Sequence, residues 1–223
     1  MERFRAWIVA IAFVVTEVCV VSAQAQTALT PQPGVTQPRL DSAGYLGWFN
    51  ANKSGISPYN DWYNHSLYGG LSLGYYWTDH VKTEIDVGRT SEAEIVSYGP
   101  VGNEPGQLSF SAPIEHYYRN VTLSVIQAYQ FSRNAWFHPY LGAGLDIDWE
   151  RHREERPAVI SVRPGLIAGS RTDPSTDIHP KVAAVGGFKA YVSPRAFFRT
   201  DLKFTGARQL DQVIWRWGFG VDF

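Results

Sequence analysis

The last eleven residues of the chain, Val213 to Phe223, alternate strictly between two kinds of side chain. Every second position is large and apolar, and most positions between them are glycine or charged. Successive residues of a β-strand point to opposite faces, so this segment is predicted to be a strand with one aromatic face and one small or charged face. In a soluble edge strand, the exposed Trp and Phe residues on one face would be an aggregation hazard. The pattern therefore favours a strand with lipid on one side and a polar lumen on the other.

The strand ends the chain on an aromatic residue, Phe223, preceded at alternate positions by Val221, Phe219 and Trp217. This ending resembles the bacterial outer-membrane β-barrel family, whose last strand commonly ends in Phe and is read by the barrel assembly machinery. The resemblance implies that these four residues form a carboxyl-terminal assembly signal. It also implies outer-membrane localisation, with outer-membrane lipid, lipopolysaccharide and the assembly machinery as partners.

The amino terminus has the three regions of a secretory signal peptide. Arg3 and Arg5 precede an apolar run from Ala6 to Val21, and small residues follow up to Ala25. We expect residues 1–25 to be the signal peptide, 26–41 a flexible periplasmic segment, and 42–223 the barrel domain. Cys19, the one cysteine, lies in the leader, so the mature chain is expected to have neither a disulfide nor a lipid anchor.

Eight segments show a period-two pattern, which predicts an all-β, eight-stranded antiparallel up-and-down transmembrane β-barrel. Long links alternate with short ones, and long links of such barrels face outside. The links expected outside the cell are 53–64, 92–115, 151–180 and 207–212. The turns expected in the periplasm are at Asp79, Asn134 and Pro194. In the first strand, Leu46 and Trp48 compete with Tyr45 and Phe49 for the outer face, so its facing is left open.

The inward positions of the predicted strands carry charges of both signs in similar numbers. An eight-stranded barrel is just wide enough to be filled by side chains, and an unpaired buried ion is costly. We therefore expect a charge network that plugs the lumen. Its predicted members are Lys82, Glu84, Asp86, Asp146, Asp148, Glu150, Lys189, Arg199, Asp201, Lys203, Arg216 and Asp222.

The residues support no enzyme class, and neither a catalytic residue nor a cofactor is predicted. His65 and Ser66 are the nearest approach to a lipid-modifying site, but adjacent strand residues point to opposite faces. His116, His152 and His179 fall at the outer ends of strands with inward parity, and the sequence leaves open whether they bind metal.

The architecture resembles the small outer-membrane barrels of the OmpA/OmpX type. The resemblance implies a structural or adhesive role as a monomer, with outer loops that meet a host or matrix ligand. The alternatives are a narrow channel for ions or small solutes and a lipid-modifying outer-membrane enzyme. The near-zero net charge gives no reason to expect nucleic-acid binding.

Overall fold

The protein is described by a computed structural model over residues 38–52, 62–101, 110–131, 136–160, 166–167 and 169–223. Its strands are β1 (Leu40–Asn52), β2 (Trp62–Tyr76), β3 (Val81–Thr90), β4 (Ala93–Val101), β5 (Phe110–Gln130), β6 (Phe137–Arg156), β7 (Val159–Ile160), β8 (Leu166–Ile167), β9 (Ser170–Arg171), β10 (Ser175–Tyr191), β11 (Ala196–Gly206) and β12 (Leu210–Asp222). Within these described ranges, no helix is long and apolar enough to cross a membrane.

Eight of the strands close into one antiparallel barrel. The order around the barrel is β1, β2, β3, β5, β6, β10, β11, β12, and β12 pairs back with β1. β4 and β9 add to the upper parts of β5 and β6, above the ring of eight. The predicted fold, an eight-stranded antiparallel transmembrane barrel, is confirmed.

Alternation along the strands separates an apolar outside from a polar inside. Leu71, Leu145 and Leu202 are exposed on the outer surface, whereas Asp86 and Arg216 are fully buried. The outward residues form the band that faces lipid, because a barrel exposes one face of every strand to the membrane.

The structure resolves the facing of β1. Leu46 and Trp48 are 64% and 45% exposed, whereas Tyr45 and Phe49 are buried. Trp48 lies directly opposite Trp215 in the register with β12, so its ring joins the outer face of the closing strand. Tyr45 turns inward, where its hydroxyl has polar partners.

The barrel starts earlier than the sequence predicted. β1 begins at Leu40, so Leu40 and Asp41, expected in the flexible amino-terminal segment, belong to the barrel. Asp41 is buried and forms ion pairs with two lysines, and this explains why the strand extends to it. The predicted signal peptide and residues 26–37 lie outside the described residues.

The segment between Glu92 and Glu115 was expected to be a loop, and that expectation is wrong. β4 and the first part of β5 pair there from Ala93↔Tyr118 to Val101↔Phe110. Strands above the membrane band need no lipid-facing apolar stripe, so the sequence pattern did not predict this pair. The link 151–180 also contains strand structure, since β6 continues to Arg156 and pairs with β9 and β10.

These extensions make the barrel asymmetric. β5 and β6 have 21 and 20 residues, whereas β11 has 11. Ten more residues at about 3.3 Å each, tilted by about 40°, raise one side by about 25 Å. We call the end that carries this sheet the upper end and the opposite end the lower end.

Candidate functional site: the charged lumen and the upper rim

All twelve charged residues predicted to face the lumen are buried in the structure. They lie on β3, β6, β10, β11 and β12, at positions whose neighbours along the strand face outward. Three tiers of ion pairs fill the interior from the lower to the upper end.

The middle tier spans the barrel. Arg199 on β11 donates two parallel hydrogen bonds to Glu84 on β3, Nη1 to Oε2 at 2.7 Å and Nη2 to Oε1 at 2.8 Å. In the closed order of eight strands, β3 and β11 are four apart in either direction, so they stand on opposite walls. A bidentate guanidinium–carboxylate pair is directional as well as strong. It therefore joins opposite walls of the barrel across the lumen.

Asp201 joins this pair to a second arginine. Its Oδ2 lies 3.0 Å from Arg199 Nε and accepts a hydrogen bond from Tyr140 Oη at 2.6 Å, and its Oδ1 accepts from Arg216 Nε at 2.6 Å. Arg216 Nη1 also donates to Asp86. Each of these buried charges has an oppositely charged partner, as burial requires.

The lower tier is centred on Asp41. Lys82 Nζ lies 2.9 Å from Asp41 Oδ2, and Lys189 donates to the same oxygen. Tyr76 Oη donates to Asp41 Oδ2 at 3.0 Å and accepts from Lys189 at 2.9 Å. Lys189 Nζ is also 3.7 Å from Asp222 Oδ1, which brings the carboxyl end of the chain into the network.

The upper tier lies on β5, β6, β10 and β11. Lys203 Nζ is 2.9 Å from Asp146 Oδ2 and donates to Ser124. Asp148 Oδ2 lies 3.2 Å from Lys181 Nζ, and it accepts from Asn120 Nδ2 at 3.1 Å.

A small open pocket of about 180 Å³ stands above this tier. Lys181 and Glu150 line it, together with Gln212, which donates to Asp148. Lys181 and Gln212 both contact Asp148 in the tier beneath the pocket, and we call this pocket the vestibule.

Aromatic side chains fill the space that the ion pairs leave. The guanidinium carbons of Arg199 and Arg216 lie 5.2 and 4.7 Å from the ring centre of Tyr45, close enough for cation–π attraction. At Gly88 a Cβ would collide with the Tyr68 ring, so glycine makes room for that ring in the lumen.

Sequence reasoning missed several members of the network. Asp41 was overlooked because the prolines before it suggested a flexible segment. Asp41, Ala43 and Tyr45 alternate along one strand, however, so the period-two pattern could have identified Asp41 as an inward residue. Lys181 was missed because it directly follows the link predicted for residues 151–180, at the very start of the next strand. Tyr76 and Tyr140 were missed because an inward tyrosine gives no charge signal.

Two of the three histidines at the upper rim, His116 and His152, contact each other. His116 Nδ1 is 3.3 Å from His152 Nε2, and the rings stack at an interplanar angle of 15°. Ser97 Oγ lies 2.9 Å from His116 Nε2, and Tyr118 stacks on His152. Burial lowers the pKa of His116 below its ordinary value of 6.5, opposed by Glu154 and assisted by His152 and Arg156.

His179 is separate from this pair and lines the vestibule. Across residues 38–223, apart from the undescribed gaps, no three His, Cys, Asp or Glu side chains converge as metal ligands. The pair is therefore a stacked, hydrogen-bonded contact between β5 and β6.

Ser66 does not lie on the lipid-facing surface. It is buried, and its Oγ donates to the Ser91 carbonyl at 2.9 Å. The side chain of His65 lies outside the described residues. The arrangement gives Ser66 a structural hydrogen bond and no access to a lipid substrate.

The predicted assembly-signal residues occupy the outer face of β12. Phe219, Val221 and Phe223 are 67%, 46% and 54% exposed, and Trp217 is half-buried between the rings of Trp48 and Trp215. This face is accessible at the seam between β12 and β1, where the barrel closes.

No family model and no curated protein matches the chain. Several solved structures do match the chain. The N-terminal β-barrel domain of Pseudomonas aeruginosa OprF matches with a TM-score of 0.50 and 14% identity, over 84% of this chain and all of that one. Neisserial surface protein A matches with a TM-score of 0.50 and 13% identity, over 82% of this chain and 97% of that one. The chain therefore has the fold of the small eight-stranded outer-membrane β-barrels.

Proposed function

We propose that the protein is an outer-membrane protein with a structural or surface-interaction role, whose lumen is closed and whose upper sheet presents a binding surface outside the cell. The Glu84–Arg199 pair carries the first part of the proposal. It joins opposite walls of the barrel with two hydrogen bonds, and the ion pairs of Asp201, Asp41 and Asp148 stand beside, below and above it.

Conductance in planar bilayers tests whether the lumen is closed. We expect the purified barrel to be silent, because no ion can pass Arg199 without breaking a buried pair. Discrete, reproducible openings of the unmodified protein would instead support the narrow channel.

The upper sheet supports the proposal of a binding surface outside the cell. It consists of β4 and the upper parts of β5, β6 and β10, and it rises about 25 Å above the shorter side of the barrel. Its outer face exposes Tyr98 and Val96, which are 71% and 42% exposed. A rigid sheet is a better platform for recognition than a mobile loop, because less entropy is lost on binding.

Removal of the upper sheet tests the proposed surface-interaction role. In the variant, residues 94–117 are replaced by Asn-Gly, because Ala93 and Tyr118 are paired and can flank a two-residue hairpin turn. Cells that produce either form are compared for attachment to immobilised matrix glycoproteins and to one another. We expect the variant to fold and to lose attachment; equal attachment by both forms at equal surface levels would refute the interaction role.

A further inference from the structure

Three arginines lie together on the outer surface, at the upper edge of the apolar band. Arg119 on β5 and Arg151 on β6 are opposite one another in the antiparallel register. Arg89 on β3 lies opposite Val121, one outward position below Arg119. All three have the outward parity of Val87, Val121 and Trp149, and they form what we call the arginine patch.

The patch has a defined height in the membrane. Val121 and Trp149 form the last apolar outward row, and Arg119 and Arg151 form the next. One outward step is two residues, about 6.6 Å along the strand and about 5 Å along the membrane normal at a tilt of about 40°. A tryptophan typically marks the membrane interface, so the guanidinium groups lie at the level of the lipid headgroups.

Little within the protein neutralises the patch. Like charges directly opposite on neighbouring strands are destabilising, as for Arg119 and Arg151. Arg119 Nη2 is 3.6 Å from Glu92 Oε1, and Glu92 is shared with Arg153 at 3.7 Å. In the part of the chain that the structure describes, Arg89 and Arg151 form no ion pair.

The nearest outward carboxylates on β5 and β6 lie too far above Arg119 and Arg151 to neutralise them. Glu115 and Glu155 face each other two outward rows above the arginines, and Arg153 and Arg171 already pair with Glu155. On the neighbouring β10, the residue opposite Arg151 is the uncharged Thr176. Glu94 on β4 lies opposite Tyr117, one outward row above Arg119, so with Glu92 two carboxylates stand near the three arginines and the patch keeps an excess of positive charge.

We propose that the arginine patch binds phosphate groups of an outer-leaflet glycolipid of the lipid A class. Guanidinium groups bind phosphate in bidentate fashion, and an anion between Arg119 and Arg151 would relieve their repulsion. The apolar surface of Val121 and Trp149 directly below offers contact to acyl chains, and that points to a phosphorylated lipid rather than a soluble anion. This proposal rests on the proposed outer-membrane location.

Binding of defined lipids to the folded, full-length barrel tests it. The barrel is prepared in neutral detergent, and lipid retention is measured by native mass spectrometry. The probes are lipid A with both phosphates, the same lipid after phosphate removal, and inorganic phosphate as competitor. We expect the phosphorylated lipid to be retained and the dephosphorylated lipid to be lost.

The variant Arg119→Gln/Arg151→Gln should bind lipid A at least about tenfold more weakly, because two charge-assisted contacts are removed. Its matched control is Arg156→Gln/Arg208→Gln, which removes two exposed charges from the same end of the barrel but outside the patch. The control should bind as the parent does. Because the patch side chains point outward, both variants should keep the lumen network, and circular dichroism checks that they fold.

Three outcomes would overturn the proposal. Equal retention of both lipids would show binding through acyl chains alone. Displacement of lipid A by inorganic phosphate at comparable concentration would show a site for a soluble anion. Equal weakening in both double variants would show a diffuse charge effect. None of these depends on location in the cell, which membrane fractionation tests separately, so failure of the outer-membrane assignment would be recognised independently.

Discussion

Arg216 and Asp201 are direct cross-strand neighbours on β12 and β11, and their Nε and Oδ1 atoms are 2.6 Å apart in the closed interior of the barrel. Arg216 also reaches Asp86 on β3, three strands away around the ring. One side chain thereby ties the last two strands of the chain to the opposite side of the lumen.

Replacement of Arg216 by alanine should destabilise the barrel by about 3 kcal/mol, because Asp201 and Asp86 both lose a buried cationic partner. It also removes a bulky side chain from the middle tier. We expect a lower urea midpoint and ion conductance that the parent lacks. Arg195→Ala, in the exposed turn before β11, is the control and should change neither property. Parental stability and conductance in Arg216→Ala would show that the plug does not depend on this residue.

Arginine in the lipid-facing band should be costly. Leu145→Arg or Leu202→Arg should lower the free energy of unfolding by about 2 to 4 kcal/mol, because both residues point into the membrane near mid-height. Val192→Arg places the same charge on an exposed residue at the lower edge and should cost about 1 kcal/mol or less. Reversible unfolding in lipid vesicles measures the difference. Similar costs at all three sites would mean that the apolar band is misplaced.

Epitope tags test the orientation of the barrel. Pro157 follows β6 at the upper end, and Pro194 lies in the turn between β10 and β11 at the lower end, with both residues exposed. Antibody should label intact cells that carry a tag at Pro157 and should reach a tag at Pro194 only after the outer membrane is permeabilised. The reverse pattern would invert the proposed topology.

Acid should weaken the contact between the upper parts of β5 and β6. The pKa of His116 is lower in the folded state than its ordinary 6.5, so the unfolded chain takes up a proton first as the pH falls. The stability that His116 contributes is complete above about pH 6.5 and is lost as the pH falls through the folded pKa. The groups that face His116 are Ser97, His152, Glu154, Arg156 and Tyr118.

Urea midpoints measured above and below pH 6.5 check this expectation. The parent should lose stability on acidification, and His116→Gln, which cannot titrate, should lose less. His179→Gln at the vestibule is the matched control and should behave as the parent does. An identical loss in the parent and in His116→Gln would assign the pH dependence to other groups.

Much of the fold was predictable because a membrane-spanning barrel has only two faces to distinguish. The alternation in β12 assigned Trp215 to lipid and Arg216 to the lumen, and the structure agrees. The pattern was insufficient where both faces are apolar, as at Tyr45 and Leu46 of β1. It was also insufficient above the membrane, where β4 pairs with β5 without a lipid-facing stripe.

The sequence by itself determined the number of strands in the barrel, the side on which most of their charges lie and the height of the apolar band, because these depend on local period and length. Only the tertiary structure decided which charges meet. Glu84 and Arg199 are 115 positions apart, and their pairing depends on closure of β1 on β12 and on the stagger between strands. Closure also placed Asp41 beside Lys189, whereas the register between the paired strands β5 and β6 placed Arg119 opposite Arg151. Cross-barrel distances follow from the register of all eight strands together, and no single segment contains that information.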